Sequence, residues 1–160
     1  MTKLRPINSN DNLALKKIIQ DALKSYNLDI AGTAYFDPEL DYLNEFYDAK
    51  PNRQYFVAVD EANHVYGGAG IAEYDLENHV AELQKLYLSP AARGQGLSYQ
   101  LLDKARDFAK QAGFKKLYLE THHNLAPAIH VYEKYGFQEI ARPLKAAQHS
   151  TMDKFFILDL

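Results

Sequence analysis

Apolar residues recur along this chain in two rhythms, one helical and one alternating, and together they divide it into helices and strands. The clearest helical stripe is Leu97, Leu101, Leu102, Ala105, Phe108, Ala109 and Ala112, with Asp103, Lys104, Asp107 and Lys110 on the other faces. Gly113 supplies a left-handed stop, and Phe114 follows to seal it. An earlier stripe, Leu13, Leu15, Ile18, Ile19, Ala22 and Leu23, follows Ser9 and Asp11, which can cap it. Asp37-Pro38-Glu39 predicts another helix start, with acids near the positive dipole end, and that helix runs through Leu40, Leu43, Phe46 and Tyr47 until Pro51. A last helix is expected from about Leu125 to Tyr135, ended by Gly136.

Strands are expected near residues 4–7, 54–59, 65–74, 79–88, 116–120, 137–140 and 154–160. In the fourth of these Leu83 differs in parity from Leu86 and Leu88, so a regular two-residue alternation cannot place all three on one face. Either the strand is buried on both faces or a bulge re-aims its second half. The strands on either side of the Leu97 helix form one parallel crossover in an otherwise antiparallel sheet. The expected class is mixed α/β (α+β): a central, mostly antiparallel sheet flanked by helices. No repeat or linker divides the chain, so residues 1–160 read as a single domain.

Composition narrows the chemistry. With 160 residues, 47% of them apolar, the chain can bury roughly 70% of its unfolded surface and needs no disulfide to hold a core. It has no Cys, which excludes disulfide scaffolds, thiolate zinc sites and acyl transfer through an enzyme thiol. No apolar run approaches the ~20 residues of a membrane helix, and the first ten residues lack a signal-like stretch, so a cytoplasmic protein is expected. A net charge of −3 argues against general nucleic-acid binding. The charge is uneven, however: residues 1–80 carry 7 basic and 13 acidic side chains (−6), residues 81–160 carry 11 and 8 (+3). Solvated surface accounts for such a split, and so does an anionic ligand held by the second half with a cationic one met by the first.

Gly94-x-Gly96, beside Arg93, lies between a strand and a helix start, where unpaired N–H groups and the helix dipole favour phosphate. A dinucleotide fingerprint would want Gly at position 99 and an acid at the end of the next strand, where Glu120 sits; position 99 is Tyr. His122 and His123 are adjacent, and on a strand they would point oppositely, so no metal site is expected.

Taken with the helix that follows, this turn resembles the GNAT superfamily of N-acetyltransferases. The family's Q/R-x-x-G-x-G/A signature is matched by Arg93, Gly96 and, less closely, Ser98, and its later signature, a small residue, Tyr four later, then x-K-x-G-F, by Ala128, Tyr132, Lys134, Gly136 and Phe137. The resemblance spans essentially the whole chain. It implies that backbone N–H groups of Gln95, Gly96, Leu97 and Ser98, beside Gly94, hold the pyrophosphate of acetyl-CoA, the acetyl donor. It implies that main-chain groups of Leu86, Tyr87 and Leu88 pair with the pantetheine arm at a split in the sheet. The resemblance also implies cofactor contacts at Ala128 and Lys134, and at Asn124, which lies one place off the family's usual Asn. Tyr132 then protonates the departing thiolate, and Glu82 stands where many members carry a catalytic glutamate.

The expected activity is therefore direct acetyl transfer from acetyl-CoA to an amine of a small molecule or peptide, with no metal, no nucleic acid, no membrane, and a homodimer left open. A CoA-binding regulator without turnover and a dinucleotide-binding domain are the alternatives. The early segment from Tyr26 to Tyr47, rich in aromatic residues and acids, is expected to form the acceptor wall, leaning to a small cationic amine.

Overall fold

The computed structural model describes residues 2–145 and 149–160. Among these residues seven strands form one sheet: β1 (Lys3–Pro6), β2 (Gln54–Val59), β3 (Val65–Asp75), β4 (Val80–Leu88), β5 (Lys116–Thr121), β6 (Gln138–Ile140) and β7 (Lys154–Asp159). Their order is β1-β2-β3-β4-β5-β7-β6, and every neighbouring pair is antiparallel except β4 and β5. The expected class and the single parallel crossover are both found. Four α-helices among the described residues flank the sheet: α1 (Asn12–Ser25), α2 (Leu43–Asp48), α3 (Leu97–Gln111) and α4 (Ala126–Tyr135).

Each helix lies where its apolar stripe can be buried. Leu15, Ile19 and Leu23 of α1 and Leu43 and Tyr47 of α2 share one core with Val57, Val59 and Ala72. Leu101, Leu102, Ala105 and Ala109 of α3 and Tyr132 of α4 share another with Ile71, Ala81, Leu83, Leu117 and Leu119. Because side chains alternate along a strand, Ile71 and Ala72 lead to opposite faces, which places α1 and α2 on one side of the sheet and α3 and α4 on the other.

Two helix starts depart from expectation. Asn8 rather than Ser9 is the cap: its side chain accepts the Asn10 N–H at 3.0 Å, and Asp11 accepts the Asn8 N–H at 2.8 Å. A 3-10 turn, Ser9–Asp11, then leads into α1. The second helix is also not continuous from Asp37. Pro38–Asp41 is a 3-10 turn, Tyr42 leaves helical space at φ −145°, and α2 starts afresh at Leu43. The restart is tertiary in origin: Asn12 of α1 accepts the Asn44 N–H at 3.1 Å and donates to the Asn44 side chain at 2.6 Å.

The parity conflict in β4 resolves as a bulge. Gln84 faces Gly70 and Tyr87 faces Gly68, so β4 carries one more residue than β3 across this interval. Lys85 takes up the difference in left-handed backbone, φ +52°. Pairing between β4 and β5 covers only Val80–Lys116, Ala81–Leu117 and Glu82–Tyr118. Beyond it the two strands separate, and the sheet opens.

Candidate active site

The opening between β4 and β5 is a cleft of about 370 Å³. Its walls bring together Leu86, Tyr87 and Leu88 after the bulge, the Arg93, Gly94, Gly96, Leu97 and Ser98 turn, Leu119 and Glu120 of β5, and Ala128 and Tyr132 of α4. Residues expected at the cofactor site on three separate segments (β4, the glycine turn and α4) share these walls, joined by Leu119 and Glu120. Gln95, Asn124, Lys134 and Glu82 are not among the wall residues. Gln95 reaches back to the Ala91 carbonyl at 3.3 Å. The Asn124 side chain donates to the Tyr26 carbonyl at 3.0 Å, fastening the β5–α4 loop to the end of α1. The Lys134 ammonium stands 5.9 Å from the centre of the Tyr99 ring.

The turn before α3 is built to meet an anion. Gly94 and Gly96 adopt φ +78° and +72°, conformations that cost other residues about 1–2 kcal/mol. A Cβ on either would meet no protein atom within 4 Å, so the space over both glycines is open. The α3 N-terminus has no side-chain cap, and its first backbone bond runs from Gln100 N–H to the Gly96 carbonyl. Among the described residues the N–H groups from Gln95 to Tyr99 therefore have no backbone acceptor. A phosphate seated there would meet several donors and the positive end of the helix dipole. The leucines and Val131 along the opening suit an extended, mostly apolar arm. These residues fit a CoA-like ligand.

The bulge itself is held by two buried tyrosines. Tyr55 donates to the Lys85 carbonyl at 2.8 Å, and Tyr47 donates to Gln84 Oε1 at 2.8 Å. Both rings lie against glycines of β3. A Cβ at Gly70 would fall 2.5 Å from the Tyr47 hydroxyl oxygen, and one at Gly68 would collide with the Tyr55 ring. In the sequence Tyr47 reads as an apolar helix position and Tyr55 as a strand residue; the signal of a close approach is the Gly67-Gly68-Ala69-Gly70 run inside a strand.

On the α1 side of the opening lies a charged network. The Lys85 side chain, 4% exposed, meets Asp37 at 2.8 Å and Glu39 at 3.3 Å, and His149 meets the same Asp37 carboxylate at 2.9 Å. Burial would lower the Lys85 pKa, but Asp37 and Glu39 outweigh it and the pKa is raised. Burial would raise Asp37; its bonds to His149 and Lys85 prevail and lower it. The bond to Asp37 raises the His149 pKa. Two further carboxyls stand nearby. Burial raises Glu82, with Gln84 opposing by donating at 2.7 Å and Glu120 adding repulsion. Burial also raises Glu120, whose Oε2 accepts the Tyr118 hydroxyl at 2.8 Å.

Tyr132 is 7% exposed, packs against Phe137 and Phe156, and faces the cleft. Burial, with Tyr87 adding to it, raises its pKa well above that of a free phenol, so it keeps its proton at neutral pH. Among the described residues its hydroxyl has no hydrogen-bond partner. Tyr87 is similarly pushed up to about 12 by burial.

The two histidines differ from expectation. β5 ends at Thr121, so strand alternation no longer separates His122 from His123, and their ring centres lie 4.1 Å apart beside Asp153. His123 bonds Asp153 through Nδ1, while His122 Nδ1 accepts the Asn124 N–H at 3.0 Å.

Residues 16–137 match the model of the acetyltransferase (GNAT) family. An N-acetyltransferase of Escherichia coli K12, YjgM, is 38% identical over 148 residues, covering 91% of this chain and 87% of that protein. A GNAT-family acetyltransferase of Staphylococcus aureus Mu50 has the same fold, with a TM-score of 0.88 at 21% identity over 99% of both chains. The structure of yncA from Salmonella typhimurium with its cofactor acetyl-CoA superposes with a TM-score of 0.75 at 20% identity, covering 99% of this chain and 94% of that one.

Proposed function

The chain belongs to the acetyltransferase (GNAT) family, and on that premise we propose that it transfers the acetyl group of acetyl-CoA directly to an amine of a small molecule or peptide. One observation carries the reading: the uncapped Gly94–Gly96 turn, the bulged edge of β4 and the unpartnered Tyr132 hydroxyl open on the same cleft. In this reading the pyrophosphate takes N–H donors from Gln95 to Ser98, and the extended arm pairs with main-chain groups of Leu86 to Leu88. Bound acetyl-CoA supplies an acetyl thioester, an acyl group already activated for attack.

The chain's own residues supply the rest. Tyr132, kept protonated by burial, donates a hydrogen bond to the sulfur as charge builds there. The acceptor amine must be neutral to attack, and an alkylamine near pKa 10.4 is under about 0.1% neutral at pH 7. A carboxyl of raised pKa near the split meets that need. Asp37, Glu39, Glu82 and Glu120 outnumber Lys85 and His149 on the acceptor side, and this excess of negative charge favours a cationic amine.

Incubation with acetyl-CoA and a panel of amines, read by mass spectrometry, tests the reading. Acetylated product is expected, with thermal stabilisation by CoA and acetyl-CoA. Stabilisation by NADH alone would mark a dinucleotide site, and binding of acetyl-CoA without product from any amine would mark a regulator.

A further inference from the structure

The family resemblance implies a catalytic glutamate at Glu82, yet here the geometry points to Glu120 of β5 as the group that receives the acceptor amine's proton. The inference rests on the acetyl-transfer reading of the same cleft. Glu120 is a wall residue of the cleft together with Tyr132, and Glu82 is not. The pairing of β4 with β5 stops at Glu82–Tyr118, and Glu120 lies two residues farther along β5, roughly 7 Å into the opening.

Its carboxyl is also oriented for the task. The Tyr118 hydroxyl holds Oε2, and the Tyr118 ring is itself fixed against Tyr74, ring centres 4.6 Å apart. Oε1 has no partner among the described residues, and it is not sealed in the protein interior, so it is free to take a proton from the cleft. Glu82 likewise has one oxygen engaged, its Oε1 by Gln84, which Tyr47 holds in turn, and it differs in lying outside the cleft wall. The groups that face Glu120 are Tyr118 on its own strand, Tyr74 on β3, Glu82 on β4 and His149 before β7. Burial outweighs the hydrogen bond and the histidine, and the carboxyl titrates above its ordinary range, closer to a working pH.

The protons and bonds balance as follows. The acceptor enters as an ammonium and gives one proton to Glu120 Oε1, which frees the nitrogen lone pair. The nitrogen–carbon bond to the acetyl carbonyl forms, and the carbon–sulfur bond breaks with its electron pair leaving on sulfur. Tyr132 donates a hydrogen bond to that sulfur and keeps its own proton; the sulfur takes up the second proton shed by the nitrogen, so the products are the acetamide, free CoA thiol and the proton held by Glu120.

The test compares Glu120→Gln and Glu82→Gln by kcat/KM from pH 6 to 10 with a primary alkylamine, alongside acetyl-CoA affinity. It adds an NMR titration of 13C-labelled glutamate carboxyls in the free protein. For Glu120→Gln the expected fall is about hundredfold at pH 7, shrinking toward pH 10, with acetyl-CoA affinity retained. With an acceptor amine that is already neutral at pH 7 the defect shrinks to a few-fold. Glu82→Gln falls less than about tenfold and keeps the acid limb of the profile. The carboxyl resonance missing from Glu120→Gln titrates above the ordinary ~4.3 in the wild type. Should the Gln variant fold poorly, Glu120→Asp serves, retaining the acid limb at a reduced rate. A Glu120→Gln profile that keeps its acid limb while Glu82→Gln loses it overturns the assignment, as does a defect equal at every pH. A wild-type protein that binds acetyl-CoA and acetylates no amine overturns the transfer reading first and this assignment with it.

Discussion

The Tyr55 hydroxyl donates to the backbone carbonyl of Lys85 across 2.8 Å, tying β2 to the left-handed residue that makes the β4 bulge. Tyr55→Phe keeps the buried ring and removes the donor, leaving a carbonyl without its partner. The expected cost is about 1–3 kcal/mol of stability in urea unfolding, with a several-fold loss of acetyl-CoA affinity as the bulge loosens. A variant as stable as the wild type would mean that other contacts hold the bulge.

Gly96→Val is expected to weaken acetyl-CoA binding at least tenfold in calorimetry, because a branched side chain would occupy the open space above the turn. Backbone strain alone is measured by Gly113→Ala, where φ is +94° and a Cβ again meets nothing. That variant should lose stability and keep its affinity.

For Tyr132→Phe, kcat should fall roughly tenfold to a thousandfold while acetyl-CoA affinity changes little, since the ring's packing survives and only the donor is lost. Equal kcat under single-turnover conditions would return Tyr132 to the core.

The Asp37–His149 pair should give stability a definite pH window. His149 has a raised folded pKa, so its contribution is complete below the unfolded value near 6.5 and is lost as pH rises through the folded one. Asp37 is lowered, so its contribution is present above about 3.9 and is lost as pH falls. Thermal melts of wild type and His149→Gln should differ most between pH 5 and 6 and converge toward pH 9. A constant difference would show that the ion pair is not the cause.

Most of the sheet, α3, α4 and the glycine turn were legible because each depends on local periodicity or on a backbone that only glycine adopts readily. The bulge was visible as a parity conflict at Leu83, but its partners were not, since Tyr55 lies 30 residues from Lys85 and Tyr47 lies 37 from Gln84. The same separation hid the break at Tyr42, which depends on Asn12 meeting Asn44 across 32 residues. The resemblance implied a ligand contact at Asn124, one place off the family's Asn, whereas its side chain is engaged 98 residues away at Tyr26. The acidic character of the segment from Tyr26 to Tyr47 could be read directly; that Asp37 and Glu39 would converge on a buried lysine could not.

The short seam of three residue pairs between β4 and β5 has a further consequence for how the molecule presents itself to other chains. Past that seam two unpaired strand edges face each other inside one sheet, and such edges are ordinarily templates for aggregation. Here the end of α1 and the helix α4 wall them in, with Tyr26, Pro127 and Val131 at the margins. A foreign β-strand cannot enter without displacing those helices, while a thin, flexible, unbranched arm can. The gap therefore acts as a gauge for width, shielding its two strand edges with the same walls that line the ligand's path.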